Sequence, residues 1–458
     1  MSFRGAAREV TGSCHLVTVG SQTIALDCGL FQGRRAASHG KNLQLPLPVE
    51  QLHAVVLSHA HIDHSGRLPY LVRKGFASTI WTTPATRDLC TLMLADSAHI
   101  QHQDAAHLAK HHKSFIEPLY NQDDVNRTID LMVTVPYDRP FEIADGITGR
   151  FVDAGHILGS AIVVLECRER QNKSDLVYSG DLGRYNQPII RDPQVPKRAD
   201  HVILESTYGN RQHPSSANLR EQLAEVVRTT AARGGRVLIP AFAVGRTQEI
   251  IYDLHGLYRA GKIPEIPIYV DSPLAIDVTG VFATHPEAFD QREPLVREGS
   301  ALFDFRLVRY TRDVTESRAL NERRGPMVII AASGMAESGR ILHHLAHGAP
   351  DPRNTILIVG FQAEHTLGRR IVERQSMLRI FDEQVPLRAE VQVLTGYSAH
   401  ADEAEIVLWL EAMAQTAGHR PRVSLVHGEA DAQDALRARL TAAGYTVGTP
   451  GPGDTLEL

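Results

Sequence analysis

The sequence predicts an α/β protein in which a β-rich domain is interrupted by an inserted α/β domain with a parallel sheet. Three observations carry this. In the first third, apolar runs such as "HAVVLS" end in polar, glycine-rich loops. From about Thr207, helical segments separate buried-strand runs, the grammar of parallel β/α units. From about Glu390, "EVQVLTGYSAHAD" and "RVSLVHGEAD" return to the strand-then-polar-loop style. A chain of 458 residues also exceeds what one hydrophobic core usually serves. The expected division is 1–208 and 385–458 for the interrupted domain and 209–384 for the insert.

The elements follow in order. "HLVTVG" and "QTIALDCG" read as strands separated by Gly20-Ser21. "HAVVLS" is a continuous apolar run, as in a strand buried on both faces. "SGRLPYLVRKG" has helical punctuation, with Ser65 as cap and Gly75 as stop. "ITGRFVDAGHILGSAIVVLEC" and "SDLVYSGDLG" repeat the strand-then-loop pattern. "LREQLAEVVRTTAARGG" is a helix, "RVLIP" a strand, and "AFAVGRTQEIIYDLHGLYRAG" a loop and helix. "IPIYVDSP", "PMVIIAASG" and "NTILIVGFQ" are further buried strands. The histidines of "HIQHQDAAHLAKHHKSF" lie on a polar stretch without acidic partners at matching spacing, which reads as a solvated helix.

Composition bounds the function. Apolar content of 43% and charged content of 22% are ordinary for a soluble globular protein. A net charge of −5 argues against a protein coated in positive charge for duplex DNA, though not against a local basic groove. The four cysteines, Cys14, Cys28, Cys90 and Cys167, form no CxxC pair and read as buried small hydrophobes in a reducing compartment. The N-terminal stretch lacks a signal-peptide core, and no run approaches the ~18 apolar residues of a membrane span. A cytoplasmic protein with no membrane contact is expected.

The chemistry concentrates in "SHAHIDHSG". His59 and His61 alternate in an extended segment, so they face one ion together. Asp63 and His64 lie beyond a turn, within reach of a second. Imidazole and carboxylate without thiolate suit zinc or manganese used for hydrolysis. Later loops add His156, Asp181 and His427, each after a predicted strand, with the two oxygens of Asp181 able to bridge two ions. Asp27 also ends a strand, where it would orient a ligand imidazole.

HxHxDH followed by a glycine-flanked histidine, an aspartate and a late histidine is similar to the metallo-β-lactamase fold. "VILESTYG" with Glu205, "LTGYSAHAD" with His400 and "SLVHGE" with His427 look like motifs A, B and C of the β-CASP nucleases. Roughly 245 residues separate Asp181 from His427, an insertion that simple lactamases and thioesterases lack. "PAFAVGRTQEI", "VDSPLA", "AASGMAESGRI" and "GFQAEHTLGRRI" also resemble segments of the β-CASP insert. The resemblance covers essentially the whole chain. It is nearest to compact prokaryotic relatives of the pre-mRNA 3′-end cleavage endonuclease, without an archaeal-type KH extension or the appended domain of J-type ribonucleases.

That resemblance implies an αββα sandwich with an inserted parallel-sheet β-CASP domain. It implies two divalent ions, Zn2+ before Mn2+. His59, His61 and His156 hold one, Asp63, His64 and His427 the other, and Asp181 lies between them. The nucleophile is a hydroxide bridging the ions. His400 is the general acid with Glu205 accepting its other N–H, and Asp63 belongs to the catalytic set as well as the ligands. The substrate would be single-stranded RNA in a cleft between the domains. Its phosphates would meet Gly245, Arg246 and Thr247, then Ser333 and Gly334, then His365, Thr366, Gly368 and Arg369, with Arg246 and Arg369 leading. Hinges are expected near residues 205–210 and 380–395. A thioester or lactone hydrolase would leave Glu205, His400 and the insert without purpose, and the intact ligand set counts against a non-catalytic scaffold. DNA as substrate, the choice between endonucleolytic and 5′→3′ exonucleolytic action, and the oligomeric state, with a homodimer among the options, stay open at the level of sequence.

Overall fold

The structure is a computed structural model that describes residues 1–33, 35–110, 117–213, 216–360, 362 and 365–457. The end of the histidine-rich stretch, from His111 to Phe115, and Phe361, Ala363 and Glu364 of the "GFQAEHTLGRRI" segment lie outside the described residues. Two compact units emerge: residues 1–186, 192–212 and 400–458 form one, and residues 187–191 and 213–399 the other.

The first unit is built on two sheets. One runs Ser2–Gly5, Cys14–Val19, Gln22–Leu26, Ala54–Val56, Ile80–Thr82 and Met132–Thr134, antiparallel at its start and parallel from Gln22–Leu26 onward. The other runs, in spatial order, Val447–Gly448, Arg422–Val426, His201–Glu205, Asn172–Tyr178, Ala161–Glu169, Ile147–Asp153 and Pro140–Ala144. Strand alternation sorts the apolar side chains into layers. Val163 and Leu165 point inward to meet Val17, Ile24, Leu26 and Val56 of the facing sheet. Ile162 and Val164 point outward to Trp409, Leu410, Met413, Leu436 and Leu440 on the helices Glu403–Ala417 and Ala430–Ala442. Trp409 is fully buried and donates its indole N–H to the Gln194 carbonyl at 2.8 Å. Truncating such a side chain to alanine costs about 3–5 kcal/mol. Helices Leu68–Arg73, Pro84–Lys110 and Gln122–Asp130 pack together on the first sheet, which completes the αββα sandwich. His99 and His102 are exposed on the long helix, as a solvated face requires.

The second unit is an open parallel sheet in the order Val308–Tyr310, Ile268–Val270, Met327–Ala331, Arg236–Pro240, Thr355–Ile358 and Glu390–Val393. Helices such as Arg340–Gly348 and Leu367–Val372 cover it with Ile341, Leu345, Leu367 and Ile371. Residues 385–399, expected with the β-rich domain, fall in this unit. The reason is that Glu390–Val393 pairs in register with Thr355–Ile358 and extends the insert's sheet. At the other junction residues 209–212 stay with the first unit.

Candidate functional site

The sandwich delivers its polar residues at strand ends. Asp27 follows Gln22–Leu26, His59 follows Ala54–Val56, His156 follows Ile147–Asp153, Asp181 follows Asn172–Tyr178, and His427 follows Arg422–Val426. Glu205 is the last residue of its strand, and His400 lies just before the helix Glu403–Ala417. His61 directly precedes a one-turn helix, Ile62–Ser65, that carries Asp63 and His64. Ser65 does not cap the next helix as expected. Its hydroxyl donates to the carbonyls of Ala60 and His61, both at 3.0 Å, and closes the turn, while Leu68–Arg73 starts after Arg67. Gly29 must be glycine for this turn to sit down, since a Cβ there would lie 1.6 Å from the Asp63 carbonyl oxygen. Asp27 and His427 both hold positive φ, 59° and 49°, conformations that cost of order 1–3 kcal/mol each and that the surrounding packing must enforce.

Two clusters result. His59, His61, His156 and Asp181 bring one potential ligand atom each within 4.8 Å of one another, and so do Asp63, His64 and His427. In the first, His59 Nε2 lies 3.1 Å from His61 Nδ1, which lies 3.3 Å from His156 Nε2. Asp181 Oδ2 is 3.4 and 3.5 Å from the Nε2 atoms of His59 and His156. In the second, His64 Nε2 faces His427 Nε2 at 3.1 Å, and Asp63 Oδ2 is 3.4 Å from His427 Nε2. Asp181 Oδ1 reaches the second cluster, 3.2 Å from His64 Nε2.

Hydroxyl groups behind the imidazoles fix which nitrogens are bare. Asp27 accepts from the Ser58 N–H at 2.7 Å and, through Oδ2, from the Ser58 hydroxyl at 2.8 Å, His64 Nδ1–H at 2.7 Å and the Tyr178 hydroxyl at 2.7 Å. With its own proton committed, the Ser58 oxygen accepts from His59 Nδ1–H at 3.0 Å. Thr207 does the same for His427: its hydroxyl donates to the His427 carbonyl at 3.0 Å and accepts from Nδ1–H at 3.0 Å. His59, His64 and His427, as neutral rings, thus carry lone pairs on Nε2. Two lone pairs at 3.1 Å repel unless a proton or cation lies between them. The donor set fits divalent cations that prefer imidazole and carboxylate.

The electrostatics agree. Burial pushes His61 down to about 3 and also lowers His59 and His156, which keeps those rings neutral, as ligands must be. Burial opposes charge on His64 too, but Asp181 and Asp27 outweigh it and raise its pKa. The surrounding carboxylates thus favour positive charge at that position, which a cation could supply.

Beside the clusters, His400 Nδ1 lies 3.1 and 3.2 Å from the two oxygens of Glu205 and 3.9 Å from Asp181 Oδ2. Glu205 is fully buried and also accepts from the Leu182 N–H at 2.6 Å. Burial alone would lower the His400 pKa, but the charges of Glu205 and Asp181 raise it to about 9. His400 does not cap the helix it precedes, because Asp402 does so in a capping box with Glu405. It could also join Asp181 and His427 around an ion, since those three offer atoms within the same 4.8 Å.

In the second unit, Gly245 precedes the helix Arg246–Arg259 with φ 78°, and the Thr247 hydroxyl donates to the Phe242 carbonyl at 2.8 Å. Arg246, a leading phosphate candidate, is buried, and its Nε lacks a protein hydrogen-bond partner. It is 7% exposed, paired with Glu249 one turn on, and its guanidinium lies 5.8 Å from the Tyr397 ring centroid. Arg369 is half-exposed and paired with Glu373 at 2.7 Å. The Ser333 hydroxyl accepts from the Glu337 N–H at 3.1 Å, Thr366 caps the helix Leu367–Val372, and His365 is exposed with φ 69°. Gly368 leaves room for the Gln362 side chain, whose oxygen would lie 1.7 Å from a Cβ. The sequence reading passed over Ser58, Tyr178 and Thr207, although each adjoins a residue it named or lies within a quoted strand-end segment.

A two-cluster histidine site on an αββα sandwich with a parallel-sheet insert defines a metallo-hydrolase. Residues 7–215 match the family described as "Metallo-beta-lactamase superfamily", 247–371 the "Beta-Casp domain", and 384–450 the "Zn-dependent metallo-hydrolase RNA specificity domain". The chain belongs to the β-CASP ribonuclease family of metallo-β-lactamase hydrolases. It is 38% identical to "Ribonuclease TTHA0252" of Thermus thermophilus, over 97% of this chain and 96% of that one. It is 33% and 34% identical to "Transcription termination factor FttA" of Methanosarcina mazei and Thermococcus kodakarensis, over 93% of this chain but 66% of theirs. A crystal structure of a protein of unknown function from Enterococcus faecalis V583 superposes with a TM-score of 0.53 over 100% of this chain and 99% of that one. At 13% identity it shows the fold alone.

Proposed function

We propose that the protein hydrolyses phosphodiester bonds of single-stranded RNA endonucleolytically, using two divalent ions, most simply Zn2+. The observation that carries this is the pair of bare-nitrogen clusters sharing Asp181, with the His400–Glu205 pair alongside. His59, His61 and His156 would hold one ion and Asp63, His64 and His427 the other. Such ions supply Lewis-acid activation of water and neutralise charge on the phosphate. Ser58, Asp27 and Thr207 keep the ligand nitrogens bare and aimed. Glu205 accepts His400 Nδ1–H, so the proton for the leaving 3′-oxygen comes from Nε2, and the raised pKa keeps His400 protonated at neutral pH. The similarity to a ribonuclease over nearly its whole length supports RNA over small esters and DNA.

A product ladder tests the reading. RNA labelled at its 5′ or 3′ end is incubated with metal-loaded protein, and His400→Ala serves as control. Internal fragments absent from the control are expected. Mononucleotides released only from the 5′ end would replace endonucleolytic by exonucleolytic action. Uncut RNA would overturn the proposal.

A further inference from the structure

We propose that Phe242 is a nucleobase-stacking platform on the inserted unit, which rests on the reading that the substrate is RNA. The argument begins with topology. Strands Arg236–Pro240 and Met327–Ala331 are neighbours, yet their crossovers leave in opposite directions. The first passes through the helix Arg246–Arg259 to Ile268–Val270, the second through Arg340–Gly348 to Thr355–Ile358. In open parallel sheets that switch point opens a crevice at the carboxyl ends of the strands, where ligands bind. The loops that follow the two strands meet there, and Gln362 and Gly368 bond to the second of them. Gln362 Nε2 donates to the Gly334 carbonyl at 3.0 Å, and the Gly368 N–H to the Met335 carbonyl at 3.1 Å.

Phe242 stands at this junction, 41% exposed. Exposure alone proves little, but this ring is seated. A Cβ on Gly334 would lie 2.6 to 2.8 Å from Phe242 Cδ2, Cε2 and Cγ, so only glycine lets the ring rest on the backbone. The Phe242 carbonyl accepts from both the N–H of Thr247, at 3.2 Å, and its hydroxyl, at 2.8 Å, which locks the loop at its base. Phe381, the other exposed phenylalanine of this unit among the described residues, already packs on His343 with centroids 4.5 Å apart. Phe242 is a preorganised aromatic surface beside the hydroxyl and main-chain groups of Ser333 and Gly334. A base stacked on it would be bound through its π-face, so the contact tolerates any sequence.

The test measures binding of a fluorescent single-stranded RNA to the His400→Ala protein by anisotropy, with Phe242→Leu, Phe242→Tyr and Phe242→Trp added. Phe242→Leu keeps apolar bulk without a π-face and should weaken binding by roughly 5- to 150-fold. The slope of log affinity against log salt should not change, because stacking releases no counterions. Phe242→Tyr should bind within a few-fold of the parent, and RNA should quench the new fluorophore of Phe242→Trp. Equal affinity of Phe242→Leu and parent, loss in Phe242→Tyr as large as in Phe242→Leu, or an unquenched tryptophan would each overturn the platform. Melting temperatures identify a variant that has merely unfolded, and the tryptophan signal decides if Phe242→Leu does. If wild type leaves the RNA uncut and the parent does not bind it, the ribonuclease reading fails and the platform with it.

Discussion

Asp27→Asn isolates the role of a residue that touches no ion in the proposed site. The carboxylate takes four hydrogen bonds, one at Oδ1 from the Ser58 N–H and three at Oδ2. Asparagine offers one carbonyl oxygen and one NH2. Its better orientation keeps the oxygen toward Ser58 Oγ, His64 and Tyr178 and sets NH2 against the Ser58 N–H, donor to donor. That leaves a buried N–H unsatisfied, at about 1–3 kcal/mol of stability. The neutral oxygen also holds His64 Nδ1–H less firmly and polarises its ring less. Losing such a partner typically lowers metal affinity by roughly 10- to 100-fold, or about 1.4–2.7 kcal/mol. The assay is competition for Zn2+ against a chromophoric chelator, with metal content measured on the same samples. Tyr178→Phe removes one donor but leaves the charge, so it should fall between wild type and Asp27→Asn. Wild-type affinity in Asp27→Asn would refute the relay through Ser58 and His64.

Three further outcomes are expected. His400→Ala should lose at least roughly 10²-fold in cleavage while keeping its full metal content, and loss of an ion would put His400 among the ligands instead. Glu205→Gln removes the first of the charges that hold His400 near 9 against burial, so the acid deprotonates earlier and the alkaline limb of kcat/KM moves to lower pH; an unmoved limb would separate Glu205 from proton transfer. In the inserted unit, buried Asp271 accepts from Ser317, Arg340 and His344, each at 2.6 Å. Burial would raise its pKa, but those bonds depress it. Its stabilisation is therefore complete above the unfolded carboxyl value near ~4 and is lost as pH falls through the lower folded value. Urea unfolding of Asp271→Asn should show a deficit of roughly 3–5 kcal/mol at neutral pH that closes in acid, and a pH-independent gap would assign the loss to packing.

The layers of the fold were legible because their patterns are local. "RVLIP" forms the strand Arg236–Pro240, and "HAVVLS" supplies the buried strand Ala54–Val56 that aims His59. What sequence could not assign was partnership. Glu390–Val393 reads like the strands of the first third, and only its parallel register with Thr355–Ile358 places it in the insert. Direction is equally hidden. A glycine–arginine pair before a helix suggests an anion site, yet Glu249 sits three residues after Arg246 on the same helix face and turns it inward. That ion pair was readable in "GRTQE".

The histidines of the candidate site were legible for a different reason: six residues with that density of imidazole and carboxylate have few other uses. Chemistry at such a site depends on tautomers as much as on position, and the groups that set them look unremarkable in sequence. Ser58 can accept from His59 only because its proton is spent on Asp27, and Thr207 can accept from His427 only because its proton is spent on a carbonyl. Each relay works because a hydroxyl whose proton is already spent can only accept, as the Asp27 carboxylate does for His64 Nδ1–H, where an amide could present either a donor or an acceptor. Alanine at Ser58 or Thr207 would preserve every ligand in the motif and still free a ring to carry its proton on the metal-facing nitrogen. In the proposed site, then, HxHxDH places the ligand atoms, while the neighbouring serine, threonine and aspartate decide whether those atoms present lone pairs.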